Sequence, residues 1–458
     1  MRSYKKMLYR TIEAELERFY ANKRQEALLI DGARQVGKTT IIRAFAKKHF
    51  DHLIEINFIK TPQANALFQD LQDENDFQVR LSAFMKRPLP HKKTLIFFDE
   101  VQLCPEVVTY IKFLVEAGHY TYILSGSLLG VELKNLRSAP VGYLRELTMY
   151  PLDFEEFCIA NGIADNVLER LKESFTKQTQ VDAIIHTSFM KLFQLYLVVG
   201  GMPAAVQAYL DTHDIQQVVR IQQSIITEYK RDIAQYDPSL QMRLSEILEL
   251  IPAELNKKNK RFYVGDMENG DRFNRINNSF IWLKEAGVAL PSHSVEEPKI
   301  PLLLSKSSNL FKLFLNDVGL LASMYMDGIQ LKLLSGELEI NFGAIYENFA
   351  AQELKAHGFE PYYFNSKKQG EVDFVVEYNG SVLPVEIKSG KDYTRHSALT
   401  NLLDNADYAI PKAWVMTNDN VSSVGKITYF PIYFLMFLRR NPMPEKMIYD
   451  LDLSNLKN

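Results

Sequence analysis

Cysteine is scarce: the 458-residue chain carries two, Cys104 and Cys158. They lie far apart and lack the short spacing of a metal-binding pair. A disulfide framework and a zinc module are therefore excluded as organising devices, and a reducing cytoplasm is the expected compartment. Charge of one sign is also missing. Lys and Arg number 53 against 56 Asp and Glu, a net charge of −3, which argues against wholesale attachment to nucleic acid but leaves room for a local basic face. Long apolar runs are absent as well. The longest aromatic-apolar stretch, Tyr429 to Leu438, contains Pro431 and is far shorter than a bilayer span, so no membrane partner is expected. The start, Met1-Arg2-Ser3-Tyr4-Lys5-Lys6, is basic but leads to Glu13, Glu15 and Glu17 instead of an apolar core, and no signal peptide is read there. Hydrophobic residues at 47% and charged residues at 24% match an ordinary soluble globular protein, and the length suggests about three domains.

What is present begins with Gly32-Ala33-Arg34-Gln35-Val36-Gly37-Lys38-Thr39. An apolar run, Ala27-Leu28-Leu29-Ile30, precedes it, and Ile41-Ile42-Arg43-Ala44-Phe45-Ala46 follows with helical periodicity. Strand, glycine-bounded loop and helix is the context that makes G-x-x-x-x-G-K-[ST] a phosphate site. The glycines permit tight backbone geometry, so that the N–H groups from Gly32 through Arg34, Gln35, Val36 and Gly37 to Thr40 face one concavity. The helix adds its positive N-terminal end. Lys38 is expected to reach the β and γ phosphates of ATP, and the Thr39 hydroxyl to coordinate Mg²⁺.

A second strand is read at Leu53 to Phe58. A third, Thr94-Leu95-Ile96-Phe97-Phe98-Asp99-Glu100, is apolar until its two terminal carboxylates. Such a run suits a strand buried on both faces of a parallel sheet. Ligands of open α/β sheets gather at the carboxyl ends of strands. Asp99 is accordingly expected to serve Mg²⁺, and Glu100 to orient or polarise the attacking water. The next strand, Tyr120 to Leu124, ends in Ser125-Gly126-Ser127. Ser125 there could sense the γ-phosphate or hold the water. A fifth strand is placed at Arg145 to Met149.

Gly-Ala-Arg-Gln-Val-Gly-Lys-Thr, Phe-Phe-Asp-Glu-Val-Gln, Leu-Ser-Gly-Ser and Tyr-Pro-Leu-Asp-Phe-Glu-Glu-Phe resemble prokaryotic AAA-type ATPases of the archaeal-ATPase kind, whose C-terminal region has restriction-endonuclease-like character. The resemblance continues through Gly200-Gly201-Met202-Pro203 and Asp317-Val318-Gly319-Leu320-Leu321. It implies an α/β fold: a P-loop AAA-type parallel sheet over residues 1–160, a helical lid over 161–235, a winged-helix region over 236–335, and an α/β restriction-endonuclease-like domain over 336–458. It also implies sites that subunits share, hence a homo-oligomer. Many relatives carry a Gly-Arg dipeptide after the sensor loop. Here the matching stretch is Val141-Gly142-Tyr143-Leu144-Arg145, so that arginine is displaced, with Arg137 or Arg145 as substitutes.

Within 236–335, Leu244, Ile247, Leu248 and Ile251 mark one helix face, with Pro252 expected to kink or restart it. A second helix, about 273 to 286, stops at Gly287, a plausible C′ residue. Val288-Ala289-Leu290 and Phe311 to Leu315 would pair as the wing. Lys257, Lys258, Lys260 and Arg261, with Arg272, Arg275, Asn277 and Asn278 nearby, could face DNA. Protein contact is the equal alternative.

The last 120 residues read as helix (342–356), three strands (361–364, 371–376, 382–388), helix (398–403) and strand (413–416). This order resembles the PD-(D/E)xK nuclease superfamily, with Asp373 and Glu386-x-Lys388 at adjacent strand ends. Side chains two apart on a strand leave the same face, so Glu386 and Lys388 would act together. Asp373 would meet Glu386 across one Mg²⁺, with the Ile387 carbonyl as a further ligand and Glu347 as an auxiliary carboxylate. Lys388 would position or deprotonate water. Two functions follow. One is an ATP-hydrolysing AAA-type protein coupled to DNA binding and metal-dependent DNA cleavage. The other is a nucleotide switch whose nuclease-like domain only binds DNA or a protein.

Overall fold

The computed structural model of the chain describes residues 7–22, 25–86, 89–90, 93–127, 142–236, 241–257, 260, 262–263, 280–325, 328–336, 342–440 and 447–451. Two sheets dominate it. The first joins β1 (Ala27–Asp31), β2 (His52–Asn57), β3 (Thr94–Asp99), β4 (Thr121–Ser125) and β5 (Leu144–Thr148) in the order β2-β3-β4-β1-β5, every pair parallel. β4 thus lies between the phosphate-loop strand and the strand that ends in Asp99. Parallel neighbours need crossovers that cover both faces, and all six positions of β3 are buried. Alternation divides the side chains. Leu28, Ile30, Leu95 and Phe97 enter the core beside α1 (Ile12–Asn22) and α2 (Lys38–His49), whereas Leu29, Ile96 and Phe98 enter a second core beneath α3 (Glu74–Met85) and α4 (Glu106–Ala117).

Five helices follow: α5 (Phe154–Ala160), α6 (Asp165–Lys177), α7 (Ala183–Val199), α8 (Pro203–Thr212) and α9 (Ile215–Tyr236). The start of α5 is set by a capping box, in which Asp153 accepts from the Glu156 N–H and Glu156 reaches back to the Asp153 N–H. Between α7 and α8 the chain turns at Gly200-Gly201, where space is the reason for glycine. A Cβ on Gly201 would stand 2.0 Å from the Leu152 carbonyl oxygen. α10 (Gln241–Asn256) then runs with Pro252 inside it.

The second sheet has nine strands, β13-β14-β12-β11-β10-β9-β7-β8-β6. They are β6 (Phe262–Tyr263), β7 (Ala289–Val295), β8 (Lys306–Leu315), β9 (Tyr362–Ser366), β10 (Gly370–Tyr378), β11 (Ser381–Ile387), β12 (Ala413–Thr417), β13 (Ser422–Val424) and β14 (Ile427–Pro431). β7 and β8 pair antiparallel with Ala289 opposite Leu315. They do not stand apart, however: β7 also pairs in parallel with β9, Ser294 opposite Tyr363. One sheet therefore crosses residue 335. Residues 280–285 are helical and close at Gly287, whose φ is 70°, with the Val288 N–H bonding to the Leu283 carbonyl. The earlier part of that expected helix lies outside the described residues, as do Arg137, Lys258, Arg261, Arg272, Arg275, Asn277 and Asn278.

α11 (Val318–Ser323), α12 (Ile329–Ser335), α13 (Gly343–Ala356) and α14 (Ser397–Asp404) complete the chain. Residues 344–354 of α13 are all buried, including Glu347, Asn348, Gln352 and Glu353. These polar groups are engaged by neighbouring elements, because an unpaired buried polar group is costly. Asn348 exchanges two hydrogen bonds with the Leu315 backbone. Gln352 accepts from the Val318 N–H and donates to the Tyr196 hydroxyl. Glu353 accepts from the Phe154 N–H at 2.9 Å. Among the described residues no helix is long and apolar enough to cross a membrane.

Candidate functional site

The loop between β1 and α2 has the backbone its glycines foretell. Gly32 and Gly37 hold φ of 134° and 101°, values at which an L side chain is strained. A Cβ on Gly32 would also lie 2.2 Å from the Met149 carbonyl oxygen. Lys38 opens α2, and its Nζ turns back to donate to the carbonyls of Gly32 (2.8 Å) and Ala33 (2.9 Å). Burial pushes its pKa down to about 8, against the pull of Glu100, Asp31 and Asp99. Arg34 pairs with Asp232 of α9, and Gln35 donates to Glu228 one turn earlier. The Arg34 carbonyl accepts from the Tyr229 hydroxyl at 3.3 Å. Beneath the loop, buried Arg10 donates to the Val36 carbonyl (2.8 Å) and to Glu156 (2.9 Å).

Asp99 is the centre of a polar group at the carboxyl ends of three adjacent strands. Thr39 Oγ1 lies 3.2 Å from its Oδ2, Asn57 Nδ2 donates to that same oxygen at 2.8 Å, and Ser125 Oγ donates to Oδ1. Register accounts for this, because Asn57, Asp99 and Ser125 stand side by side in the sheet. A hydroxyl and a carboxylate at this separation are the oxygen donors that Mg²⁺ takes alongside phosphate, so these residues fit the ion. Glu100 follows with a φ of 62° and accepts from Gln102 Nε2 at 2.6 Å. Thr40 lines a cavity of about 440 Å³ together with Met7, Leu8, Gly37, Ile41, Pro203 and Gln207 among others. Arg145 is engaged by Glu15 at 2.6 Å.

Asn57, Arg10 and the α9 acids were not foreseen. Asn57 ends a strand beside Asp99 and was open to the same strand-end argument. The others are joined to the loop only by the folding of distant segments.

The nine-stranded sheet brings Asp373, Glu386, Lys388 and Glu347 together, with three groups the spacing did not indicate. Lys312 of β8 is fully buried, with its Nζ 2.9 Å from Glu371, 3.4 Å from Glu347 and 3.8 Å from Asp373. Lys260, expected to face DNA, pairs instead with Glu347. Lys388 Nζ lies 2.9 Å from Glu386 Oε1. The Ile387 N–H donates to Asp373 at 2.9 Å. Burial would lower the Lys312 pKa, but Glu347, Asp373 and Glu371 outweigh it and hold the ammonium above its usual range. Burial, then Glu386 and Glu347, push Asp373 up to about 8. Among the described residues, no three His, Cys, Asp or Glu side chains are arranged to hold a metal ion.

Residues 24–158 match the model of the AAA domain family. Residues 190–332 and 342–435 match two domains of unknown function, DUF8612 and DUF4143. No curated protein matches the chain in sequence. Similar solved structures include the Walker-type ATPase PABY2304 of Pyrococcus abyssi, at 16% identity over 70% of this chain and 96% of that one, TM-score 0.39. Another is the ORC1 protein of Aeropyrum pernix in complex with DNA, at 14% identity over 73% and 97%, TM-score 0.27. Cdc6p of Pyrobaculum aerophilum is 12% identical over 74% and 98%, TM-score 0.28. The family match is confined to residues 24–158, the segment that holds the five-stranded parallel sheet and the glycine loop, and it identifies that segment as an AAA domain.

Proposed function

We propose that the protein is an ATP-hydrolysing nucleotide switch whose C-terminal half binds a partner in response. The observation that carries this reading is the loop's own set of partners. Lys38, Arg34 and Gln35, the side chains a triphosphate would recruit, are held by Gly32, Ala33, Asp232 and Glu228. Nucleotide entry must exchange those contacts, and α9 feels the exchange directly. The loop amides and Lys38 would take the β and γ phosphates, and the lined cavity beside Thr40 suits the adenine base. Thr39 and Asp99 would hold Mg²⁺, which neutralises phosphate charge when bound. Glu100 would orient the attacking water, and Ser125 would hold Asp99 in place.

With Arg145 engaged by Glu15, hydrolysis by a single copy is expected to be slow. Copies that lend one another an arginine would speed it, and turnover rising more than linearly with protein concentration would reveal that. DNA is the partner suggested by the basic character of the sequence around Lys257, Lys260 apart because it pairs with Glu347, and that reading calls for binding that weakens steeply with salt. DNA cleavage is the reading that the Asp373 and Glu386-x-Lys388 spacing favoured, and the lysines among those carboxylates count against it.

The test is steady-state ATP turnover with parallel nucleotide binding. Lys38→Ala should abolish binding without unfolding the protein. Glu100→Gln should keep binding and lose roughly 10²-fold or more in turnover, the size of a lost general base. Tight ATP binding by Lys38→Ala would overturn the assignment.

A further inference from the structure

We infer that the carboxylate cluster of the nine-stranded sheet is filled by the chain's own ammonium groups and excludes a divalent cation. Four carboxylates converge there, Glu347, Glu371, Asp373 and Glu386, and all eight of their oxygens have a donor or cation. Glu347 meets Lys260 through Oε1 and Lys312 through Oε2. Glu371 meets Lys312 through Oε1 and Asn365 Nδ2, at 3.4 Å, through Oε2. Asp373 faces Lys312 through Oδ1 and the Ile387 N–H through Oδ2. Glu386 faces Lys388 through Oε1 and the Asp373 N–H, at 3.4 Å, through Oε2.

Magnesium demands near-octahedral oxygen ligands at about 2.0–2.1 Å. Here the Lys312 ammonium alone already stands within 4 Å of three of the four carboxylates, and Lys388 stands 2.9 Å from the fourth. A dication seated between Glu347 and Asp373 would lie against the positive charge of Lys312. Lys312 has nowhere to withdraw. Its side chain is wholly shielded from solvent, its backbone is paired opposite Ser292 of β7, and the ring of Tyr363 lies 5.2 Å from Nζ. Three lysines against four carboxylates leave the cluster within one charge of neutrality, so no dication is needed to hold it together. A cluster that looks metal-ready from Asp373, Glu386 and Lys388 alone is, with Lys312 and Lys260 included, a finished ionic joint. It ties β8 and residue 260 to α13, β10 and β11. This inference does not depend on the nucleotide reading.

Manganese uptake by the nucleotide-free, full-length protein tests it, with the EPR signal of the free ion as readout. Wild type and Asp373→Asn should give the same curve. One equivalent of Mn²⁺ taken up by wild type and lost in Asp373→Asn would overturn the inference. Lys312→Met removes the charge while keeping an unbranched side chain one atom shorter. It should gain one equivalent of Mn²⁺ bound at least ten-fold more tightly than by wild type, and Asp373→Asn added to it should abolish the gain. A Lys312→Met protein with the wild-type circular dichroism spectrum but no such gain would also overturn it, since the lysine would not then be what keeps the ion out. Should that variant fail to fold, the comparison of wild type with Asp373→Asn decides alone.

Discussion

At the scale of single residues, Lys38 carries the sharpest consequence. Its pKa in the free protein is lowered to about 8 by burial, and a polyphosphate would restore its charge. The sign follows from linkage. Below pH 7 the lysine is already protonated and ATP binding takes up no proton through it. At pH 8.5 it is largely neutral, binding takes up a proton, and affinity falls with rising pH by at most about ten-fold per unit. Calorimetry of ATP binding in two buffers of different ionisation heat reads that proton, and heats independent of buffer at pH 8.5 would contradict it. The cysteines make a second case. Burial pushes Cys104 up to about 12 and raises Cys158 well above its ordinary value, so neither is a ready thiolate. A disulfide reagent should label neither in the native protein at pH 8 and both after denaturation. Lys38 was legible in the sequence because phosphate-loop chemistry is local: eight consecutive residues and a strand end contain it. Lys312 was not legible as a partner of Asp373, since 61 positions separate them and only the sheet unites them. Its one signal was a lysine inside Phe311-Lys312-Leu313-Phe314-Leu315, where strand alternation alone could not say whether it faced water or acid.

At the scale of elements, glycines mark where the halves of the chain press together. Gly287 ends its helix in the left-handed region, and a Cβ there would come within 2.9 Å of the Ala33 N–H in the phosphate loop. Gly287→Ala should cost about 1–2 kcal/mol in backbone strain and weaken ATP binding besides, because the loop must yield. Gly201→Ala meets the Leu152 backbone at 2.0 Å instead. It should cost about 3 kcal/mol of stability with little effect on nucleotide affinity. Chemical denaturation paired with nucleotide titration separates the two, and equal effects on both readouts would contradict the assignment. The helix stop at Gly287 was readable from local pattern. What Gly287 touches was not, since helix-end chemistry carries no information about the loop more than 250 residues earlier.

At the scale of the whole molecule, one apolar cluster runs from Leu16 of α1 to Leu438, through α7, α8, α9 and α13. Sequence periodicity located the individual faces but was silent on their union, because a helix buried all round with Glu347, Asn348, Gln352 and Glu353 inside it lacks the amphipathic stripe that such reading depends on. Unfolding should accordingly be one cooperative transition. Nucleotide with Mg²⁺ at a hundred times its dissociation constant should raise the entire transition by about 2.7 kcal/mol. Scanning calorimetry checks this: two separated transitions, of which ATP moves only one, would show that the halves melt independently. The same union connects the loop outward through a chain of hydrogen bonds. Tyr229 links the Arg34 carbonyl to Asn316, next in sequence to Leu315, which is hydrogen-bonded to Asn348.

The parallel pairing of β7 with β9 also dictates where the polypeptide could be divided. A fragment starting at residue 336 would lose the strand that covers Tyr362, Tyr363 and Phe364, all buried in the intact chain. It would present a bare, aromatic-rich edge, the kind that recruits other chains into aggregates. A division between α9 and α10 would leave every strand of that sheet in one piece, but it would part Tyr229 from Asn316. Anyone wishing to study the C-terminal half in isolation therefore faces a choice between a sticky fragment and a deaf one.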